Sequence, residues 1–381
     1  MISKIDYRKK FRGAMLGVAV GDAIGAPFEG GSPTSLEEVE KSAGSRERLE
    51  FTDDTEMTIG VAESLVRCKG FNGEDMARTF VSNFNPLRGY GYTTSIVIQR
   101  LKAGERWDVP AKEVMGGKGS YGNGAAMRVV PVGLLYNNDL DKVREVAEAT
   151  SRVTHTHILG VEGAVLQALG VAMATRSGIT EEISRDEFLR RLVEAGRCEE
   201  YLTKLNEIGS LLSKPFDQRE IVERLGNGGG AQNSVPAAIF FFLSFPADFR
   251  KTVLNSAALG GDADTIASMA GGLAGAFLGE DSIPGEWLEK LEKRDKLEML
   301  ADRLFFMFAS EILGGRCEMC MAEDGVKVYR INPEEGDDLS NLILLCPTCR
   351  EETEELPEEF LRKPKKTGKY RAVYRKSYRK R

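Results

Sequence analysis

Three glycine-rich turns in this chain carry carboxylates. Asp22 sits in VAVGDAIGAPFEG, with Glu29 seven residues on; the second turn is Phe51-Thr52-Asp53-Asp54-Thr55-Glu56; the third is Leu259-Gly260-Gly261-Asp262-Ala263-Asp264-Thr265. The second and third each place two carboxylates and a threonine hydroxyl at the start of an expected helix. One oxygen side chain at such a place caps the helix by accepting from its orphan N–H groups. A cap needs no second carboxylate, and adjacent carboxylates repel unless something compensates them, as a divalent cation does. Mg²⁺ and Mn²⁺ prefer oxygen ligands. Thr52, Asp53, Asp54, Asp262, Asp264 and Thr265 could supply several ligands to two such ions, leaving room for an activated water.

A further segment, GSYGNGAAMR over 119–128, has small residues that could expose consecutive backbone N–H groups just before a helix. That is either a phosphate cradle or an ordinary turn. The only two histidines, His155 and His157, lie in RVTHTHILG, where one could be a buried structural donor. Cys68 and Cys198 fall in helical patterns and read as packing residues. Cys317-Glu318-Met319-Cys320 and Cys346-Pro347-Thr348-Cys349 form a CxxC…CxxC pair with 25 residues between the inner cysteines. This spacing predicts one tetrahedral structural Zn²⁺ with no open position. The ion would supply folding energy that about 35 residues cannot gain from a core.

The elements that must position these groups are expected to be helices. Apolar residues recur at three and four through 55–68, 123–136, 140–149, 157–175 and 262–278, and alternating strand patterns are scarce. The glycines are expected mainly at segment ends, in turns and caps. The 381 residues divide into an all-α domain over 1–310, a small zinc-stapled α+β module over 311–355 with a strand near 326–331, and a basic, flexible tail over 356–381. Residues 280–300 read as a linker followed by a helix. The longest apolar run, Val235 to Ala247, is 13 residues and too short to span a bilayer. The N-terminus lacks an apolar signal-peptide core, so a cytoplasmic location and no membrane partner are expected.

The net charge of −6 conceals an asymmetry. Residues 362–381 hold 11 Lys or Arg and no acid, so the rest carries 52 − 11 = 41 basic against 58 acidic residues, a net of −17. An acidic body argues against nucleic-acid binding by the whole surface and leaves the tail able to do so. Tyr370, Tyr374 and Tyr378 interleave with its positive charge, which suits base stacking or a docking helix.

Taken together, FRGAMLGVAVGDAIGAPFE, FTDDTEMT, YGNGAAMRVVPVGLL, VTHTHILGVEGA and LGGDADTIASMAGGLAGA resemble the ADP-ribosylglycohydrolase family, in family order across about residues 8–280. The resemblance implies an all-α fold with two Mg²⁺ or Mn²⁺ ions at the base of a cleft. Thr52, Asp53 and Asp54 would bind metal from one side, and Asp262, Asp264 and Thr265 from the other. Ser120, Tyr121, Gly122 and Asn123 would cradle the diphosphate of ADP-ribose, with His155 nearby. Glu29 falls where some relatives carry a mobile acidic residue near the substrate, and Asp22 would tie the first helix to the site. Asp53, Asp54 and Glu29 are the implied catalytic groups.

The C-terminal segment resembles an HNH-type nuclease module in RCEMC, VKVYRINP and DDLSNLILLCPTC, with Asn341 matching the central Asn. It departs where members carry histidines, having Tyr329, Arg330 and Arg350 instead. Without a histidine base and metal ligand, a nuclease-inactive binding module is expected, its two arginines suited to phosphate.

The expected function is a dinuclear Mg/Mn-dependent hydrolase that cleaves the N- or O-glycosidic bond between ADP-ribose and a modified acceptor, a protein side chain or a nucleic acid. The alternatives are a non-catalytic ADP-ribose-binding regulator, and a nucleic-acid-binding protein using the zinc module and tail. The intact acidic set argues against the first, and the acidic body against the second as a sole role. Arginine, serine and nucleic-acid linkages all remain open as the acceptor bond; an arginine would want ring surface such as the Tyr90–Tyr92 region.

Overall fold

A computed structural model of the chain describes residues 6–177 and 184–353; the basic tail with Tyr370, Tyr374 and Tyr378 lies outside the described residues. The chain forms two compact units, one covering Arg8–Leu304 and the other the chain from Phe305 onward together with the short segment ending at Tyr7. Among its described residues the named elements of the first unit are all helices, with isolated bridges at Leu49–Leu291 and Gly122–Gly230. In the second, Lys327–Arg330 pairs antiparallel with Leu342–Leu345, in the register Lys327↔Leu345 to Arg330↔Leu342. The strand expected at 326–331 is thus four residues long.

At the centre of the first unit runs the helix Ile158–Arg176, buried from Gly160 to Thr175. It is apolar all round because it is covered all round, by Leu140–Ser151, Val130–Leu135, Ala231–Ser244 and Ala263–Leu278. Its length and composition would let it cross a bilayer, but 89% of that window is buried inside the protein. The apolar run from Val235 likewise lies in a buried helix. The expected helix over 123–136 is instead a 3-10 turn at Asn123–Ala125 and a short helix at Val130–Leu135. Pro131 opens the latter, where its missing N–H is not needed. The expected linker and helix of 280–300 become three short elements, Glu280–Ser282, Gly285–Lys290 and the start of Arg294–Ile312.

A close helix contact joins Tyr7–Gly25 to Ala263–Leu278. Gly13, Gly17, Gly21 and Gly25 recur every four residues, so they line one face of the first helix. A Cβ at Gly13 would lie 2.5 Å from the Gly275 carbonyl oxygen, at Gly17 2.2 Å from that of Gly271, at Gly21 2.0 Å from that of Ala267, and at Gly25 2.5 Å from that of Ala263. The two helices run antiparallel with their backbones in contact. Each mid-helix glycine costs roughly 0.5–1 kcal/mol against alanine, and here close packing offsets that cost. The expectation that glycines sit mainly at segment ends is corrected by this stripe: helix approach, as well as turn geometry, selects them.

Gly21→Ala should therefore destabilise the protein by about 1–3 kcal/mol through overpacking. Gly44→Ala, in the helix Leu36–Ser45 with open space around it, should be neutral or slightly stabilising. Urea denaturation of the two variants checks the contrast.

Candidate functional site

Asp22 and Asp264, one on each of the paired helices, lie near the Gly25 end of the glycine stripe. Asp22 is fully buried. Its carboxylate accepts from the Thr52 N–H at 2.9 and 3.0 Å, the Thr52 hydroxyl at 2.8 Å, the Thr55 N–H at 3.0 Å and the Thr55 hydroxyl at 2.6 Å. Asp22 thus caps the helix Asp53–Cys68 from outside it, while the Thr52 side chain makes no cap bond of its own. Asp262, which opens Ala263–Leu278, caps nothing either. The plain N-cap reading of these two turns does not hold: their side chains are turned into a shared acidic centre.

In that centre, carboxylate oxygens of Asp22, Asp54 and Asp264 lie within 4.8 Å of one another, as do those of Glu29, Asp262 and Asp264. Asp264 belongs to both groups and joins them. The Thr265 and Thr52 hydroxyls each stand 3.3 Å from Asp54 Oδ2. Asp54 Oδ1 is buried with no hydrogen-bond partner. Asp53 is in neither group of three, although it feels the charges of Asp22, Asp262 and Glu29. The third turn is held by its backbone. Gly260 and Gly261 both take positive φ, the Gly30 N–H donates to the Gly261 carbonyl at 2.7 Å, and the Gly261 N–H donates to the Gly31 carbonyl at 2.9 Å. This double bond pair carries the Glu29 loop to Asp262.

The electrostatics match an unmet need for positive charge. Burial first, then neighbouring carboxylates, push Asp264 up to about 9 and raise Asp53 and Asp54 well above the usual carboxylate range. Burial and Asp262 raise Glu29. Burial lifts Asp22 to about 6 even though the hydroxyls and N–H groups of Thr55 and Thr52 favour its charged form. Orphaned oxygen, clustered acids and threonine hydroxyls together fit hard divalent cations.

The 119–124 loop is fixed against a second glycine loop. The Asn123 N–H donates to the Gly229 carbonyl at 3.0 Å, and the Ala231 N–H to the Tyr121 carbonyl at 3.0 Å. The Asn123 amide donates to Asp262 Oδ2 and, at 3.0 Å, to the Ser234 hydroxyl. The Gly122 N–H donates to the Ser120 hydroxyl at 3.2 Å. The expectation of a run of free N–H groups is thus corrected: those of Gly122 and Asn123 are already bonded within the protein. Tyr121 is 43% exposed and packs edge-on against His157. His155 is buried behind the loop, its Nε2 close to Gly122 and its Nδ1 2.7 Å from the Thr154 hydroxyl. Burial, and secondly Arg128, lowers His155 to about 3, so it stays neutral.

Sequence reasoning quoted Glu56 and Arg128 within its segments without giving either a role, and passed over the 227–230 loop as part of this region. Arg128 is fully buried, stacks on Phe80 at 4.7 Å and donates to the Thr150 carbonyl at 3.1 Å. Burial pulls it down to about 9, against the opposing pull of Tyr90 and Asp53. An arginine inside the apolar stretch AAMRVVPVGLL was the available signal. Glu56 accepts from the Tyr90 hydroxyl at 2.8 Å and the Asn85 N–H at 3.1 Å. That leaves Tyr90 half-buried and occupied, so of the Tyr90–Tyr92 pair only Tyr92 offers an open ring.

In the second unit, the four cysteines Cys317, Cys320, Cys346 and Cys349 place their sulfurs within 4.8 Å of one another. Cys317, Cys346 and Cys349 are buried with Leu345 in a small core. Burial raises the Cys317 thiol, but the N–H groups of Cys320, Cys346 and Met319 outweigh it and bring the thiol down to about 7. This set can chelate a metal. Arg330 is not a free phosphate contact: Asp337 holds it through bonds of 2.7 and 2.8 Å. Arg350 lies over the Tyr329 ring at 4.9 Å.

Known proteins show the same frame. The ADP-ribosylglycohydrolase family profile matches residues 3–312. ADP-ribosylhydrolase ARH3 of Xenopus tropicalis is 36% identical over 339 residues, spanning 80% of this chain and 97% of that protein. The Mus musculus protein of the same name is 36% identical over 346 residues, with 78% and 92% covered. A solved structure titled ADP-ribosylglycohydrolase-related protein complex aligns with a TM-score of 0.61 at 28% identity, covering 80% of this chain and 99% of that one.

With divalent cations removed, the acidic centre should make the fold less stable as pH rises. Its carboxylates keep protons in the folded chain above about pH 4, where those of the unfolded chain lose them, so stability falls from there through the titration of Asp264 near 9. Thermal melts in EDTA from about pH 5 to about pH 8.5 should show a steeper fall for the native chain than for Asp264→Asn. Mg²⁺ should raise the melting temperature more at the higher pH, because cation and proton compete.

Proposed function

The chain belongs to the ADP-ribosylglycohydrolase family and is a hydrolase, and from that premise we propose that it releases ADP-ribose from a modified acceptor by a reaction at the acidic centre. The observation that carries this reading is Asp54 Oδ1, a buried carboxylate oxygen without a partner beside two further buried acids. A non-catalytic binder would gain nothing from burying such mutually repelling groups.

Thr52, Asp53, Asp54, Asp262, Asp264 and Thr265 would hold two Mg²⁺ or Mn²⁺ ions, with Glu29 within reach of Asp262 and Asp264. Such ions, when bound, supply positive charge that polarises water and sugar hydroxyls. Ser120, Tyr121, Gly122 and Asn123 line the diphosphate site, and His155 supports that loop from behind as a neutral residue. The Asn123 amide ties the loop to Asp262, so the ADP-ribose subsite and the acidic centre keep a fixed spacing. Asp53 or Asp54 takes a proton from the attacking water as its oxygen bonds to the anomeric carbon C1″. The bond from C1″ to the acceptor breaks through an oxocarbenium-like state. Glu29, its pKa raised by burial and Asp262, gives a proton to the leaving atom.

The second unit is read as an HNH-like module that has lost its nuclease site and keeps one structural Zn²⁺ on Cys317, Cys320, Cys346 and Cys349. Asn341 supports this reading. Its amide donates to the Asn332 and Gly336 carbonyls at 3.0 Å each, and its Oδ1 accepts from the Asn332 N–H at 2.9 Å, so it clamps the loop between the strands. With the basic tail, the module would bring the hydrolase to nucleic acid. The tail would carry the positive charge for such binding, with 11 Lys or Arg and no acid over residues 362–381.

Release of ADP-ribose from ADP-ribosyl-arginine, ADP-ribosyl-serine peptide and ADP-ribosylated DNA, with Mg²⁺, Mn²⁺ or EDTA, tests the reaction. Asp54→Asn should lower kcat at least about 100-fold with ADP-ribose affinity largely kept. Wild-type turnover by that variant would sink the assignment. Metal analysis after EDTA treatment should leave one zinc per chain, lost in Cys346→Ser with unfolding of the module.

A further inference from the structure

The 85–92 loop beside the acidic centre is anchored inward at one set of positions and open at another. The Asn85 N–H and the Tyr90 hydroxyl both bond Glu56 Oε2, at 3.1 and 2.8 Å. Arg88 donates to the Phe51 carbonyl and makes two bonds of 2.9 and 2.6 Å to Glu292. The Tyr90 ring packs edge-on against Phe84 at 4.6 Å. Gly89, at positive φ, brings the backbone so close that a Cβ there would stand 3.9 Å from Asp53 Oδ1. The loop is therefore a rigid wall on the Asp53 side of the centre. On the next helix, Tyr92–Lys102, the Thr93 hydroxyl lies 3.3 Å from that of Ser120, which joins this wall to the expected diphosphate loop.

Two large apolar side chains on this wall take no part in the anchoring: Leu87 is 90% exposed and Tyr92 is 82% exposed. Neither contributes to the core, and burying a leucine or a ring is what a partner would gain from them. We propose that Leu87 and Tyr92 are specificity-determining residues that contact the polypeptide carrying the ADP-ribose, a reading that rests on the hydrolase function proposed above. The class of acceptor follows from the surroundings. Residues 1–304, which include this wall, hold 37 Lys or Arg against 44 Asp or Glu, a net charge of −7. The loop offers a phosphate backbone no uncommitted cation, whereas an apolar peptide segment needs none. The only guanidinium of the loop, Arg88, is committed to Glu292.

The test uses the full chain loaded with Mg²⁺ and the double variant Leu87→Ser/Tyr92→Ser. Calorimetry measures affinity for free ADP-ribose and for an ADP-ribosyl-serine peptide of about 15 residues, with Asp54→Asn in both backgrounds to prevent turnover. The double variant should bind ADP-ribose as the parent does and the peptide about fivefold or more weakly. In turnover assays, KM for the peptide should rise by the same factor while kcat is kept, and a single ADP-ribosylated amino acid should be cleaved unchanged. Equal peptide affinity in the two proteins would overturn the proposal, as would a loss of free ADP-ribose affinity as large as that for the peptide. Loss of turnover on every substrate by the wild-type chain, with the peptide contrast preserved in binding, would instead remove the hydrolase reading and leave the docking role standing. If neither ligand bound the parent, both would fall.

Discussion

The close approach of Tyr7–Gly25 to Ala263–Leu278 is the constraint on which the site depends. Four carbonyl oxygens of one helix occupy the space that side chains would need on the other. That contact brings Asp22 and Asp264, far apart in sequence, to one point. Asp22 then reaches a third helix and caps it, which orients Thr52, Asp53 and Asp54. A single methyl at Gly21 would push the helix axes apart and spread the carboxylates along with them. Backbone contact is well suited to this task because it has no rotamers to relax.

What this packing assembles is electrostatically unfavourable by itself. Buried carboxylates crowd together and are driven towards their protonated forms, while Asp54 Oδ1 has no donor. Arg128, a buried cation that feels Asp53, is a partial offset set behind the helix. The fold is held by the apolar helices around Ile158–Arg176, which bear the cost of the acidic centre. Such a division, with stability in the scaffold and strain at the site, is usual where chemistry needs groups that folding alone would not choose.

The second unit follows a different rule. One small core cluster there buries Leu345 with three cysteines, Cys317, Cys346 and Cys349. Arg330 is paired with Asp337 and Arg350 lies over Tyr329, so both serve the unit's own structure. The family match ends at residue 312, before Cys317. The chain is thus a hydrolase frame followed by a small cysteine-clustered unit with its own organisation.

Much of this was legible from residue order. Helical periodicity, the paired acids of FTDDTE and GGDADT, and the CxxC spacing are local signals, because a helix face, a turn and a metal knuckle are each set by neighbours within a few positions. Those signals gave the helical class, the acidic groups and the four sulfurs together. Other features needed the folded chain. Only there does Glu29 join Asp262 and Asp264, through bonds between Gly30, Gly31 and Gly261. Only there are Gly122 and Asn123 found bonded, Tyr90 turned inward and Tyr92 left outside. Burial, hydrogen-bond occupancy and the meeting of distant carboxylates depend on which surfaces pack together. One-dimensional spacing carries no distance between segments more than 200 residues apart, such as Asp54 and Asp264, and tertiary packing supplies it.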